Sequence, residues 1–266
     1  MKLEERAKEI RRKIIRMAAK SRASHIGSAL SAVDILVALY FSEMRVNPEE
    51  PEHLERDRFI LSKGHGCSAL YATLAMKGFF KEDILETYCI DSGKLPGHAT
   101  LHCVHGVEAS TGSLGHGLPI GIGMALAARI DGQKYRTFVL MSDGECDEGS
   151  VWEAAMFAGH NKLDNLVAII DYNKLQAFGY TKEVLDLEPL SKKWESFGWA
   201  AKEVDGHDIA TMCKLFAKVP FENGKPSVVI AHTVKGKGVS FMEGKLEWHY
   251  KSLKPEEEKK VLEELG

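Results

Sequence analysis

Short apolar runs of β type alternate along this chain with longer stretches in which apolar residues recur at helical spacing. Five runs are rich in β-branched and aromatic residues: 58–62, 135–142, 165–171, 199–204 and 227–233. Residues 166–170 are apolar throughout, which is typical of a strand buried on both faces of a sheet. The alternation predicts an α/β fold with a doubly wound, mostly parallel sheet of about five to six strands and helices on both faces.

The remaining segments divide into helices and two long irregular stretches. Helical spacing predicts a first helix over residues 4–20. Ser31, with Asp34 three residues later, predicts the capped start of a second helix that ends near Phe41. Residues 91–118 and 233–250 are rich in glycine and histidine and lack periodicity, so we expect binding residues there. No linker interrupts the chain, which predicts a single domain over residues 1–266 with a final helix over 255–265.

Composition narrows the possible classes of function. Hydrophobic residues make up 44% of the chain, enough for a core, and a net charge of −3 with interspersed signs favours neither nucleic acid nor anionic lipid as a partner. The N-terminus lacks the apolar core of a signal peptide, and no later apolar run approaches membrane-spanning length, so we expect a cytoplasmic protein. The five scattered cysteines predict reduced thiols rather than a disulfide framework.

An acidic loop and an asparagine follow two of the predicted strands. Asp143 begins the loop DGECDEG, and Asn173 follows the next strand. Because parallel strands of one βαβ unit point the same way, both side chains should emerge at the carboxyl edge of the sheet, where open α/β sheets bind ligands. A carboxylate, an amide oxygen and a carbonyl such as that of Leu175 suit Mg²⁺ when it also holds phosphate oxygens. A solvated acidic turn beside an Asn-capped loop explains the same spacing equally well.

The stretch 142–174, which begins SDGECDEGS and ends IIDYNK, resembles the thiamine-diphosphate fingerprint of transketolases, which begins Gly-Asp-Gly and ends in Asn. The resemblance implies ligands for Mg²⁺, or for Ca²⁺ or Mn²⁺ in its place: Asp143, Asn173 and the carbonyl of Leu175. It also implies that Gly144 and Glu148 lie at the cofactor, with Glu148 near a subunit interface. Ser142 stands where the family usually has Gly; both residues are small, so we expect the change to be tolerated.

Four histidines lie in short loop-like contexts: His25, His65, His98 and His249. Each alone is explained as an exposed or core imidazole. Together they match, in order and context, the four imidazoles that transketolases place around cofactor and donor sugar. The resemblance implies that His65 and His249 approach the diphosphate, whereas His25, His98 and His249 contact substrate hydroxyls and move protons.

Two glycine-containing segments extend the same resemblance. Gly112 and Leu114 are implied to lie beside the thiazolium and the diphosphate, and residues 232–238 to close over the diphosphate. A basic surface loop is the alternative for residues 232–238. A competing interpretation groups four residues as a zinc site: His98, His102, Cys103 and His105. Their residue types suit zinc, but their spacing is atypical.

The resemblance ends where the diphosphate-binding domain of a full-length transketolase ends. The following domain supplies the glutamate that protonates the aminopyrimidine ring of the cofactor. We therefore expect a separately encoded partner with the pyrimidine-binding and C-terminal domains, assembled with this chain as an α2β2 heterotetramer. The implied reaction moves a two-carbon ketol unit from a ketose phosphate to an aldose phosphate, as in the pentose phosphate pathway.

Other functions stay open at this point. The chain is also compatible with a 2-oxoacid dehydrogenase α subunit, a ketolase for other sugars or dihydroxyacetone, or a non-catalytic subunit of the same fold. The four histidines favour ketol transfer, because keto acid decarboxylation needs no such set of hydroxyl contacts. Gly121 and Gly123 lie in a helix-like run that does not follow a strand, and no G-x-S-x-G is present, which argues against a nicotinamide enzyme and a serine hydrolase.

Overall fold

The computed structural model describes residues 1–266, apart from the side chain at position 255. The helices are α1 Leu3–Ser21, α2 Ile26–Ala38, α3 Cys67–Lys77, α4 Gly117–Ile130, α5 Gly149–His160, α6 Thr181–Val184, α7 Leu190–Ser196, α8 Ile209–Phe216 and α9 Pro255–Glu264. The strands are β1 Arg58–Leu61, β2 Thr137–Ser142, β3 Leu166–Tyr172, β4 Ala200–Asp205 and β5 Ser227–His232. Each predicted β run therefore contains or overlaps one observed strand.

The strands form one parallel sheet in the order β1-β2-β3-β5-β4. The central strand β3 is buried along its whole length, and it pairs with β2 and with β5. This confirms the prediction from its unbroken apolar sequence. Because all five strands run the same way, the loops that leave them come out together at the carboxyl edge.

Alternate residues of the strands pack against helices on opposite faces of the sheet. Phe138 and Leu140 belong to a core shared with α1, α2, α3, α8 and α9. Val139 and Met141 belong to a second core shared with α4, α5 and α7. Because successive side chains of β2 point to opposite faces of the sheet, the strand contributes to both hydrophobic cores. The predicted doubly wound α/β architecture is confirmed.

Helix α2 corrects two expectations. It begins at Ile26, so the capping box predicted at Ser31 is wrong: the Ser31 hydroxyl donates to the carboxylate of Asp171 at 2.6 Å, and Asp34 binds Arg11. The helix continues through a π-type turn. By length and composition, residues 26–43 are long and apolar enough to span a membrane, so the expectation that no apolar run approaches that length is wrong. Since 83% of this stretch is buried inside the fold, it forms a core helix.

Helix α4 explains the glycines that precede β2. A Cβ atom on Gly121 would lie 2.5 Å from Cγ2 of Val139, so the helix approaches the sheet closely only without a side chain there. Gly121 and Gly123 lie inside this helix, as the sequence indicated, and not at a strand-to-helix turn. Gly121 therefore serves packing against the sheet at this position, not a dinucleotide.

Candidate active site

A cavity of about 440 Å³ opens at the carboxyl edge of the sheet. Loops that follow β1, β2, β3 and β5 form its walls, together with the start of α2 and the irregular segment before α4. All eleven residues singled out from the sequence line it: His25, His65, His98, Gly112, Leu114, Asp143, Gly144, Glu148, Asn173, Leu175 and His249. The fold thus brings together residues that are up to 224 positions apart, from His25 to His249.

Asp143 and Asn173 converge because they follow neighbouring parallel strands. The register pairs Ser142 with Asp171, so the side chains of Asp143 and Asn173, which follow them, leave the sheet at nearly the same level. The Asp143 Oδ2 atom accepts a 2.6 Å hydrogen bond from the backbone N–H of Lys174, which joins the two loops directly. Asp143 and Asn173 are 1% and 9% exposed, so Asp143 does not belong to a solvated turn. Asn173 does cap its loop, as the alternative expected, because its Oδ1 atom accepts from the N–H of Leu175 at 3.1 Å.

The electrostatics of Asp143 favour a cation beside it. Its carboxylate accepts hydrogen bonds only from the N–H groups of Gly144 and Lys174, and within the described part of the chain no basic side chain forms an ion pair with it. Burial, and then the charge of Asp171, raise the pKa of Asp143 to about 6. A bound cation would offset this uncompensated buried charge.

A second proposed oxygen donor already contacts a cation. The Leu175 carbonyl accepts a 3.0 Å hydrogen bond from the ammonium of Lys235, which also lies 2.9 Å from Nδ1 of His249. Carboxylate, amide and carbonyl oxygens of Asp143, Asn173 and Leu175 are the donor types that a hard divalent cation takes. The residues present therefore fit a magnesium-like ion, with the ammonium showing that positive charge is accommodated beside them.

Lys235 was not singled out from the sequence. It lies in the segment 232–238, for which a basic surface loop was one alternative, but it is only 2% exposed and points into the cavity. Burial, and then the nearby charge of Lys63, lower its pKa to about 8. A buried ammonium at a cavity wall is a strong site for an anion. The sequence signal that could have identified Lys235 was its position in a glycine-containing segment after the last strand.

The four predicted imidazoles form one cluster around His25. Its ring centre lies 5.3 Å from that of His65, 6.0 Å from that of His98 and 5.1 Å from that of His249. The backbone N–H of His25 also donates to the carbonyl of His249 at 3.0 Å, which ties the start of α2 to the loop after β5. His25 is the residue immediately before α2, and its backbone adopts the left-handed conformation with φ of 66°.

Burial keeps three of these imidazoles neutral near neutral pH. It lowers the pKa of His25, with a further contribution from His98, and lowers that of His65 well below its ordinary value, with a further contribution from Lys63. The pKa of His249 falls to about 3 through burial and the charge of Lys235. Because Lys235 can only donate, His249 accepts at Nδ1 and carries its proton on Nε2.

A buried ion pair lies beneath the cavity. Lys63 and Asp171 are both fully buried, and their side chains meet at 2.5 Å. Asp171 also accepts from Ser31 on α2 and from Thr233 after β5, while Lys63 donates to the Ser28 carbonyl at 2.9 Å. The pair therefore links four site-bearing segments, and sequence reasoning missed it because neither residue reveals its partner 108 positions away.

Glu145 holds the segment that carries Gly112 and Leu114 against the acidic loop. Its carboxylate, which is fully buried, accepts from the N–H of Gly115 at 3.0 Å and from that of Ser142 at 2.9 Å. These bonds bring the segment before α4 onto the end of β2. Ser142, which replaces the family's usual Gly, fits here as the residue capped by Glu145.

The zinc interpretation is wrong. His98 faces the imidazole cluster, whereas His102, Cys103 and His105 line a different cavity with Arg56. Among the residues whose side chains are described, no group of three or more His, Cys, Asp or Glu side chains is placed to hold a metal ion.

Several other cavity residues had no distinguishing pattern in the sequence. They are Ser28, Gln176, Ala177, Phe178 and Val184. Ser28 lies 2.9 Å from Nε2 of His65, and Asp147 accepts from Gln176 at 2.7 Å. Phe178 is 83% exposed at the rim of the cavity.

Taken together, the fold and the cavity define an α/β protein with a candidate ligand site at the carboxyl edge of its sheet, lined by oxygen donors, imidazoles and a buried ammonium. Residues 3–266 match the family described as "Transketolase, thiamine diphosphate binding domain". The chain belongs to this transketolase family.

Relatives of similar length are named as transketolase subunits. The chain is 49% identical over 264 residues to a protein of Actinobacillus succinogenes that is named as one of the subunits of an apulose-4-phosphate transketolase, covering 99% of this chain and 95% of the relative. It is 43% identical over 263 residues to "6-deoxy-6-sulfo-D-fructose transketolase subunit SqwG" of a Clostridium species, covering 99% and 96%.

Solved transketolases share the fold and are longer. The transketolase from Leishmania mexicana superposes with a TM-score of 0.93 at 30% identity over 100% of this chain. The Pichia stipitis enzyme in complex with sedoheptulose-7-phosphate gives a TM-score of 0.92 at 31% identity. The chain spans only 41% and 40% of the length of these two proteins.

Proposed function

We propose that this chain is the cofactor-diphosphate-binding subunit of a transketolase that moves a two-carbon ketol group from a ketose phosphate to an aldose phosphate. The observation that carries the proposal is the convergence, in one cavity, of Asp143 and Asn173 with four imidazoles. A keto acid decarboxylase does not require the four imidazoles, and a non-catalytic subunit does not require the metal ligands.

Asp143, Asn173 and the Leu175 carbonyl would hold a divalent metal, with Mg²⁺ the natural choice and Ca²⁺ or Mn²⁺ as substitutes. Lys235 and His65 would contact the diphosphate, the first as an ammonium and the second as a neutral donor or acceptor. When bound, thiamine diphosphate supplies the carbon acid and electron sink that ketol transfer requires. The chain's own task is to bind and orient it through these groups.

The imidazoles would handle protons and hydroxyls. Ketol transfer removes a proton from a donor hydroxyl and returns one to the acceptor, which neutral imidazoles can do in turn. His25 and His98 present such groups on one side of the cluster, and His249 presents its Nε2–H because Lys235 occupies Nδ1. Burial keeps His25 neutral and therefore able to accept a proton, whereas His249 acts as a donor because Lys235 occupies its Nδ1 atom.

A separate partner chain is the second element of the proposal. Relatives that match this chain along 95% and 96% of their own length are named as subunits, and the solved transketolases are more than twice as long. Both facts support a separate chain that carries the pyrimidine-binding and C-terminal domains, in an α2β2 assembly with this one. The exposed Phe178 at the cavity rim supports a molecule docking there.

The names of the relatives favour a second possibility for the substrate. Two relatives are named for apulose-4-phosphate and 6-deoxy-6-sulfo-D-fructose, not for sugars of the pentose phosphate pathway. A ketolase that acts on an uncommon sugar or sugar phosphate is therefore the alternative to a general transketolase.

The test is an assay of ketol transfer by this chain with a candidate partner that carries a pyrimidine-binding domain, in the presence of thiamine diphosphate and Mg²⁺. Common ketose phosphates and apulose-4-phosphate serve as donors in parallel. Transfer should require both chains, the cofactor and the metal. Full activity of this chain alone, or activity that survives Asp143→Ala, would contradict the proposal.

A further inference from the structure

Three side chains behind the cavity hold the backbone on both sides of Lys235. His207 lies in the turn after β4, Asp34 on α2 and Arg11 on α1, and the carboxylate of Asp34 contacts both of the others. The contacts are 2.7 Å from His207 Nδ1, and 3.0 and 2.6 Å from the two Nη atoms of Arg11. The three side chains are 13%, 7% and 9% exposed, and none of them lines the candidate active-site cavity.

Two of these side chains bind the Lys235 segment itself. The N–H of Val234 donates to Nε2 of His207 at 2.8 Å, and Nε of Arg11 donates to the carbonyl of Lys237 at 3.0 Å. The residue before Lys235 and the second residue after it are therefore fixed from one side. On the other side, the N–H of Gly236 donates to the Gly27 carbonyl at 2.9 Å, next to the start of α2.

The bonds of His207 require one tautomer. Because the Val234 N–H can only donate, Nε2 must carry the lone pair, and the proton must be on Nδ1 and point at Asp34. Burial raises the pKa of Asp34, but hydrogen bonds from His207 and Arg11 outweigh it and lower that pKa, so the carboxylate is charged and accepts from both. Asp34 orients the ring in the same way that carboxylates orient metal-binding histidines.

We propose that His207 is a positioning residue: oriented by Asp34, it fixes the backbone at Val234 and, with Arg11, aims the Lys235 ammonium into the cavity. The role at the diphosphate rests on the proposed function. The contact itself does not, since all three side chains belong to this chain and meet without any ligand.

The two amide variants of His207 separate the two bonds. Gln can place an oxygen where Nε2 lies and keep the acceptor for Val234, whereas Asn can place an N–H where Nδ1 lies and keep only the bond to Asp34. A role confined to stability through Asp34 predicts that Asn is the better replacement. A positioning role predicts that Gln is. His160→Gln is the matched control, because His160 is exposed at the end of α5 and lies outside the segment 232–238.

Hydrogen exchange of the full chain, followed by mass spectrometry of peptides that span residues 233–240, tests the backbone contact without cofactor. We expect His207→Asn to raise exchange there about tenfold, and His207→Gln and His160→Gln to leave it near wild type. Calorimetry with thiamine diphosphate and Mg²⁺ then measures affinity, where His207→Asn should raise Kd about tenfold and His207→Gln by less than about threefold.

Equal exchange in His207→Asn and wild type, or equal Kd values for both amide variants, would overturn the positioning role. A complex of the wild-type chain with its partner that binds no cofactor would instead contradict the proposed function. In that case the exchange measurement still decides whether His207 holds the segment.

Discussion

Replacing Asp143 with Asn should make the chain more stable in the absence of ligands. The carboxylate is buried, and its pKa rises from 3.8 to about 6. One pKa unit corresponds to about 1.4 kcal/mol, so the ionised side chain costs the folded state about 3 kcal/mol at neutral pH. Asn removes that charge, but its amide group faces one of the two backbone N–H donors, which costs about 1 kcal/mol. The net expectation is a gain of about 2 kcal/mol.

The sign of the pH dependence follows from the raised pKa. Below pH 3.8, Asp143 is neutral in the folded and the unfolded wild-type chain, so it does not destabilise the folded state. The destabilisation grows as the pH rises from 3.8 to about 6 and is complete above about pH 6. Urea unfolding monitored by tryptophan fluorescence should therefore show the advantage of Asn at about pH 8 and a smaller advantage at about pH 5.

Ligand reverses the order of the two proteins. With Mg²⁺ and thiamine diphosphate at about 100 times Kd, wild type should gain about 2.7 kcal/mol, whereas Asp143→Asn should gain almost nothing. Asp131→Asn, which removes an exposed carboxylate just after α4, is the control and should follow wild type in both conditions. An Asp143→Asn chain that is less stable than wild type at about pH 8, or equally stabilised by ligand, would refute the reasoning.

Three further predictions address other parts of the site. The diphosphate affinity of wild type should fall as pH rises through about 8, because Lys235 loses its proton there; calorimetry of Lys235→Arg should show no such fall, since guanidinium stays charged. Lys63→Met should lower the free energy of unfolding in urea by about 3–5 kcal/mol, because it leaves Asp171 buried and unpaired, and a loss below about 1 kcal/mol would speak against this. Gly115→Ala should cost about 1–3 kcal/mol in the same assay, because its φ is 79° and the new Cβ would lie 2.6 Å from Cβ of Glu148; an unchanged midpoint would contradict that geometry.

The sheet could be predicted from the sequence because its physics is local. Runs rich in β-branched and aromatic residues indicate the strands, the unbroken apolar run of β3 indicates that it is buried on both faces, and the alternation of strands with helices indicates the architecture. The convergence of Asp143 and Asn173 followed from strand polarity alone. Parallel neighbours must deliver their next residues to the same edge, whatever the helices do.

The supporting residues could not be predicted because their meaning depends on distant partners. A lysine before Gly-His gives no sign that it is buried until Asp171 is placed against it. Ser31 and Asp34 had the spacing of a helix cap, but tertiary hydrogen bonds to Asp171 and Arg11 take precedence over that local pattern. Lys235 is another case, since its burial depends on packing between two loops.

The central claim is that Asp143, Asn173 and the Leu175 carbonyl together coordinate a divalent ion that also binds the cofactor's diphosphate. Crystals of this chain grown with Mn²⁺ and thiamine diphosphate would locate that ion by its anomalous scattering. We predict a single strong peak at roughly 2.2 Å from all three oxygens, with Lys235 displaced from the Leu175 carbonyl towards phosphate. A cofactor bound with no metal at these oxygens, or a metal bound elsewhere, would contradict the account.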